Sequence, residues 1–82
     1  MDAIVIGRVK EFLEIYRSGN LEKALESLKE LMYFVEKLLD ITRDSKAQVL
    51  ALNVYMMLPL YEEVIKLKMK LDEIEKSLNK SC

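Results

Sequence analysis

The sequence from Ala47 to Tyr61 reads AQVLALNVYMMLPLY and contains no charged residue, although 33% of the whole chain is charged. Twelve of its fifteen residues are apolar or aromatic. A helix that is apolar on nearly every side has to be covered on nearly every side. We therefore expect the other segments of the chain to pack around this one, which predicts an architecture and says little about an activity.

The length and composition of the chain predict one small all-α domain. The chain has 82 residues, of which 51% are hydrophobic, with only two glycines and one proline. Apolar residues recur at intervals of three and four, which is the spacing of amphipathic helices. We predict a single helical domain over 1–82, with helices at about 3–17, 21–42 and 46–79, in a bundle-like arrangement.

The first two predicted helices form a hairpin. Gly19 suits the left-handed position that ends a helix, and Asn20 suits the N-cap of the next helix. Because the turn between them is short, the two helices should be antiparallel neighbours. Each has an apolar stripe at helical spacing, and the stripes are Val5, Val9, Phe12 and Tyr16 in the first helix, and Leu21, Leu25, Leu28, Met32, Val35, Leu39 and Thr42 in the second.

The third predicted helix contains a proline. Ser45 and Gln48 have the spacing of a capping box, so this helix should begin near Lys46. Its apolar stripe passes through the position of Pro59 in phase, although an interior proline costs about 3 kcal/mol. The sequence favours one long helix that is kinked at Pro59, and the alternative is a fourth helix that begins there.

The lengths of the predicted helices indicate a homodimer. A helix over 46–79 would be about 51 Å long, against about 33 Å for the second helix, so about 18 Å would extend beyond the hairpin. Soluble monomers avoid leaving such an apolar strip in water. We therefore expect two copies to pair along this helix, unless the chain breaks at Pro59 and closes a monomeric bundle. The candidate interface residues are Asn53, Met57, Tyr61, Val64, Leu67, Leu71, Ile74 and Leu78.

Asn53 is the polar residue on the flank of this apolar stripe. It either faces solvent or meets a partner inside an interface, where a single polar side chain fixes register and oligomeric state at a cost in stability. The methionines also have two interpretations, because methionine side chains fill irregular cores and also form adaptable binding faces. The methionines concerned are Met32, Met56, Met57 and Met69.

The composition argues against catalysis. The chain has no histidine and one cysteine, Cys82, which excludes histidine acid–base chemistry and ordinary zinc sites. We expect no catalytic residue, no metal site and no cofactor. A lone cysteine fits a reducing compartment, and the uncharged stretch is shorter than a membrane span. We therefore expect a cytoplasmic protein without a membrane contact, and the scarcity of amide side chains is typical of heat-adapted proteins.

Three functions are compatible with this sequence, and one of them is a subunit of a larger complex that is stable only with an unrelated partner chain. The other two are more specific. The first is a non-catalytic interaction or assembly module that acts as a homodimer and binds an unidentified protein. The alternative is a small nucleic-acid-binding regulator that uses the basic region Lys66–Lys80 of a dimer, with Lys66, Lys68 and Lys70 as candidate polyanion contacts. The net charge of −1 favours the first, because binding to nucleic acid depends on neutralising phosphates.

Overall fold

The computed structural model describes residues 2–81 and contains three α-helices. They are α1 (Asp2–Arg17), α2 (Leu21–Ile41) and α3 (Ser45–Ser81), and residues 2–81 contain no strand. The all-α prediction is confirmed over this part of the chain, and the helix ends lie within two residues of the predicted ones. The molecule is elongated, at 58 × 18 × 14 Å, because α3 is much longer than the helices that pack on it.

The turn between α1 and α2 has the predicted chemistry. Gly19 has a φ of +88°, a left-handed conformation that strains any residue with a Cβ. The Oδ1 atom of Asn20 accepts a hydrogen bond of 3.1 Å from the backbone N–H of Lys23, so Asn20 caps the first turn of α2. These two residues together set α1 and α2 side by side.

The connection between α2 and α3 differs from the predicted capping box. The backbone N–H of Thr42 donates to the Leu38 carbonyl over 2.9 Å and ends α2. The Nε2 atom of Gln48 reaches back to the Thr42 carbonyl over 2.8 Å, and its backbone N–H donates to the Asp44 carbonyl over 2.9 Å. Helix α3 therefore begins at Ser45, and Gln48 ties the start of α3 to the end of α2.

The buried core lies where α2 packs between α1 and one face of α3. Helix α2 supplies nearly half of it, and the most buried residues lie to one side of its predicted stripe, because α2 contacts both other helices at once. The buried apolar residues are Val5, Phe12, Ala24, Leu28, Leu31, Val35, Leu38, Ala47, Ala51, Leu58 and Ile65.

Three aromatic rings join α1 directly to α3. The ring of Tyr61 lies edge-on to Phe12 at 5.6 Å and to Tyr16 at 6.1 Å between centroids. Such edge-to-face pairs contribute about 0.5–1.5 kcal/mol beyond the area they bury. This cluster fixes α1 against the middle of α3.

Helix α3 is continuous through Pro59. The interpretation as one long helix is confirmed, the alternative of a separate fourth helix is wrong, and a kink at Pro59 stays a prediction. Met69 is the last half-buried residue of α3, and every residue in 70–80 is exposed. These eleven residues cover about 16 Å, close to the predicted overhang.

Candidate interaction surface on α3

Helix α3 has two apolar faces on opposite sides. The inner face packs on the hairpin and is defined by Ala47, Ala51, Leu58 and Ile65, which are between 0 and 3% exposed. Their spacing of four, seven and seven residues places them on one line along the helix. This face is covered within the chain.

The outer face carries a long heptad pattern that the hairpin leaves uncovered beyond its first residue, Leu50, which is half-buried against the core. We call it the α3 seam, and its nine residues follow one another at alternating intervals of three and four. They are Leu50, Asn53, Met57, Leu60, Val64, Leu67, Leu71, Ile74 and Leu78. The last seven are between 40 and 66% exposed. An apolar heptad sustained over four repeats is typical of a coiled coil.

The seam lacks Tyr61 of the predicted interface and adds Leu50 and Leu60. Tyr61 belongs to the aromatic contact with α1 and is half-buried, whereas Leu60 is 66% exposed and lies on the seam. The spacing contained this signal, because Met57, Leu60, Val64 and Leu67 continue the interval of three and four without the short step that a stripe through Tyr61 requires. The other seven predicted interface residues all lie on the seam, and Asn53 is among those that are exposed.

One edge of the seam is occupied by α1. This α1-side edge consists of Val54, Tyr61, Lys68 and, one heptad further, Glu75. The Nζ atom of Lys68 donates a 2.6 Å hydrogen bond to the Tyr16 hydroxyl and lies 4.5 Å from the centre of the Tyr16 ring. The side chain of Lys68 is therefore held against α1.

The other edge of the seam is open. It consists of Val49, Met56, Glu63 and Lys70, at intervals of seven residues, and all four are exposed. Val49 and Met56 are 60 and 67% exposed, so the open edge is apolar towards the start of α3 and charged further along. The α1-side edge is thus in contact with α1, whereas the open edge is exposed.

A small apolar cavity opens beside the α1-side edge. It has a volume of about 110 Å³ and lies where α1 meets α3. Its lining residues are Val9, Phe12, Leu13, Val54, Met57, Leu58 and Tyr61. An apolar cavity of this size next to an uncovered seam suits one further apolar side chain.

The three lysines of the candidate polyanion contact do not form one patch. Lys66 forms a 3.0 Å ion pair with Glu62, and this hydrogen bond and the charge of Glu62 raise the pKa of Lys66 above its ordinary value. Lys68 lies against Tyr16 on another side of the helix, because residues two apart on a helix are about 200° apart around its axis. Lys66 and Lys70 share a side, and Lys68 does not join them.

The methionines divide between the two surfaces. Met32 and Met69 are half-buried against the core, whereas Met56 and Met57 are 67 and 55% exposed at the seam. Met32 and Met69 therefore fill gaps beside the core, and Met56 and Met57 contribute to the uncovered outer face.

Within residues 2–81, no cluster of three or more histidine, cysteine, aspartate or glutamate side chains could hold a metal ion. None of the three helices, over the residues described, is long and apolar enough to cross a membrane. Cys82 lies outside the described residues. Comparison with protein-family models, curated proteins and solved structures finds no match to this chain.

Proposed function

We propose that the protein is a non-catalytic interaction module that forms a homodimer along the α3 seam and binds another protein. The observation that carries this proposal is the seam itself. Seven of its apolar residues are between 40 and 66% exposed, and they follow a strict heptad spacing. A solvated helix face has no reason to keep this spacing, whereas a helix that pairs with another does.

The length of the seam supports the proposal that a second copy of the chain covers it. From Leu50 to Leu78 it runs for about 42 Å along α3. The largest apolar patch on a soluble monomer is a few hundred Å² and is often functional. Helix α2 lies away from the seam and α1 occupies only one of its edges, so the other edge remains open to a second α3. Two copies would each cover the other's seam over the same length.

Contact with a different protein would use helix faces that this pairing leaves open. Tyr33 and Ile41 of α2 are 64 and 70% exposed and lie outside the seam. Aromatic residues at a surface are common anchors of protein interfaces. The dimer would thus present two copies of α2 to such a protein.

The test is the mass of the protein in solution, measured by light scattering over a range of concentrations. We expect a dimer for the natural sequence. The double variant Leu67→Glu, Leu71→Glu should be a monomer with unchanged helix content by circular dichroism, because each dimer would otherwise bury four charges. The matched control is Tyr33→Glu, Ile41→Glu, which makes the same change on α2 and should remain a dimer.

Two results would contradict the proposal. A natural protein that stays monomeric at all concentrations would remove the dimer. A control variant that dissociates as readily as the seam variant would show that the seam is not the interface. Binding of nucleic acid that is abolished by changing Lys66, Lys68 and Lys70 to glutamate would favour the alternative function instead.

A further inference from the structure

We propose that the two α3 helices pair parallel and in register, so that each seam residue meets the same residue of the other copy. This inference rests on the proposed dimer and specifies its geometry. Three observations carry it: the residue types along the two edges of the seam, the position of Asn53, and the cavity beside α1.

The edges match in the parallel arrangement. In a parallel coiled coil, each residue that precedes the first core position of a heptad faces the residue five positions later in the other helix. Val49 then meets Val54, and Met56 meets Tyr61, which are apolar pairs. Glu63 meets Lys68, and Lys70 meets Glu75, which are pairs of opposite charge. Every one of these contacts occurs twice in the dimer.

The antiparallel arrangement matches less well. In an antiparallel pair, each edge of the seam faces the same edge of the other copy. The register in which the exposed seam residues overlap most completely places Leu60 opposite Leu71. Glu63 would still meet Lys70. However, Glu75 would face Val54, which places a carboxylate against an apolar side chain. Both copies of α1 would also compete for the same groove, because α1 lies along only one edge of each seam.

Asn53 distinguishes the two arrangements independently of charge. In the parallel arrangement, Asn53 meets Asn53 of the other copy, and the two amides can donate and accept hydrogen bonds mutually. In the antiparallel register that pairs Leu60 with Leu71, Asn53 faces Leu78 instead. A buried amide without a partner is costly. A single asparagine at the first core position of a heptad specifies register, and we infer the same effect for Asn53 at the second core position.

The cavity beside α1 provides a place for one side chain of the other copy. It is lined in part by Val54 and Tyr61, which form the α1-side edge. The parallel register brings Met56 of the other copy to this edge. Met56 is 67% exposed in one chain, and a flexible thioether side chain fills irregular apolar space well. Each α1 would then contact both copies of α3.

The decisive experiment is disulfide cross-linking at two seam positions. Cys82 is first replaced by serine, and Leu60→Cys and Leu71→Cys are then made separately in that protein. Both cysteines oppose themselves in the parallel arrangement, so each variant alone should form a cross-linked dimer on mild oxidation. In the antiparallel arrangement neither variant links to itself, and only a refolded mixture of the two does.

The outcomes separate the orientation from the dimer. Cross-linking in the mixture alone would overturn the parallel arrangement and leave the dimer intact. A dimeric mass without any cross-link would overturn the parallel arrangement, and a monomeric natural protein would end the proposed function first. If either cysteine variant loses the dimer, Met57→Cys and Ile74→Cys provide the same test further from the centre.

A charge exchange gives a second, independent readout. Lys70→Glu alone should weaken the dimer about tenfold, the size expected when two exposed attractive pairs become repulsive. Adding Glu75→Lys should restore the dimer in the parallel arrangement, because positions 70 and 75 lie on different sides of one helix and can compensate only between copies. Failure of the second change to restore it would contradict the parallel arrangement.

Discussion

The two faces of α3 are both apolar and follow the same helical spacing, yet they have opposite surroundings. The inner face ends in Ile65, which is fully buried beneath the hairpin, whereas Leu67, two residues further, is 64% exposed. The inner face uses alanine at 47 and 51, where α2 approaches closely, and the outer face uses longer side chains throughout. Spacing therefore shows which faces of a helix are apolar, and length and partner helices decide what covers each.

The variant with the largest expected effect changes the inner face of α3 and leaves the outer face unchanged. Ile65→Ala should lower the free energy of unfolding by about 2–5 kcal/mol, because it leaves a cavity in a fully packed site. Leu67→Ala is the matched change on the seam. At concentrations where the dimer has dissociated, it should change the free energy of unfolding by less than about 0.5 kcal/mol.

Urea unfolding at low and high protein concentration would check this pair of variants. The loss from Ile65→Ala should be the same at both concentrations. The loss from Leu67→Ala should grow with concentration, because only the dimer uses that side chain. If Leu67→Ala were as destabilising as Ile65→Ala in the monomer, the distinction between the two faces would be wrong.

Pro59 lies at an exposed position of α3, one heptad before Lys66 and outside the seam and its two edges. Replacing it tests how the course of the helix axis affects both faces. An interior proline destabilises a helix by about 3 kcal/mol. The same proline also restricts the unfolded chain, which stabilises the folded protein by about 0.4–1 kcal/mol. Pro59→Ala should therefore raise the free energy of unfolding by about 2 kcal/mol in urea unfolding. A loss of stability instead would show that the hairpin depends on a bend that the proline creates.

Most of the fold could be predicted from the sequence because its determinants are local. Gly19 and Asn20 define the first turn by backbone conformation and capping, and both act within a few residues. The continuity of α3 followed from the phase of the apolar residues on either side of Pro59. The connection at Gln48 could not be predicted in the same way, since its hydrogen bond to Thr42 depends on how α2 and α3 cross.

The candidate surface was predicted less completely. The spacing identified the apolar residues beyond Val64, but it distinguishes Leu60 from Tyr61 only by one short step in the stripe through Tyr61. Their separation depends on α1, which takes Tyr61 into a ring cluster with Phe12 and Tyr16. Tertiary packing therefore separates two overlapping stripes that differ in the sequence by only one step.

Replacing Gly19 should have a smaller effect. It weakens the packing of the hairpin on the inner face of α3 without changing a residue of either face. A Cβ added at Gly19 would meet no atom within 4 Å, so the cost of Gly19→Ala comes from its left-handed backbone alone. We expect a loss of about 1 kcal/mol in the free energy of unfolding. The control is Gly7→Ala within α1, which also has open space and should gain about 0.5–1 kcal/mol. Two changes of the same sign in thermal unfolding would contradict this.

The smallest expected effect concerns Glu62 and Lys66, whose ion pair lies on a side of α3 that belongs to neither apolar face. Glu62→Gln should lower the pKa of Lys66 towards its ordinary value, because the hydrogen bond that Lys66 donates to the Glu62 carboxylate is the largest cause of the raised pKa. Glu63→Gln is the control, since Glu63 acts on Lys66 more weakly and through charge alone. A titration of the lysine side chain by NMR should show the larger shift for Glu62→Gln.

The direction of the pH dependence follows from the raised pKa. Any stabilisation by this pair is present below the ordinary pKa of a lysine and is lost as the pH rises through the higher value in the folded protein. The Lys66 side chain is 52% exposed and that of Glu62 is 24% exposed, so solvent screens the pair from the lysine side and the stability near neutral pH should hardly change. If Glu62→Gln dissociated the dimer, the pairing surface would have to extend to this side of α3, and the boundary of the seam drawn here would be wrong.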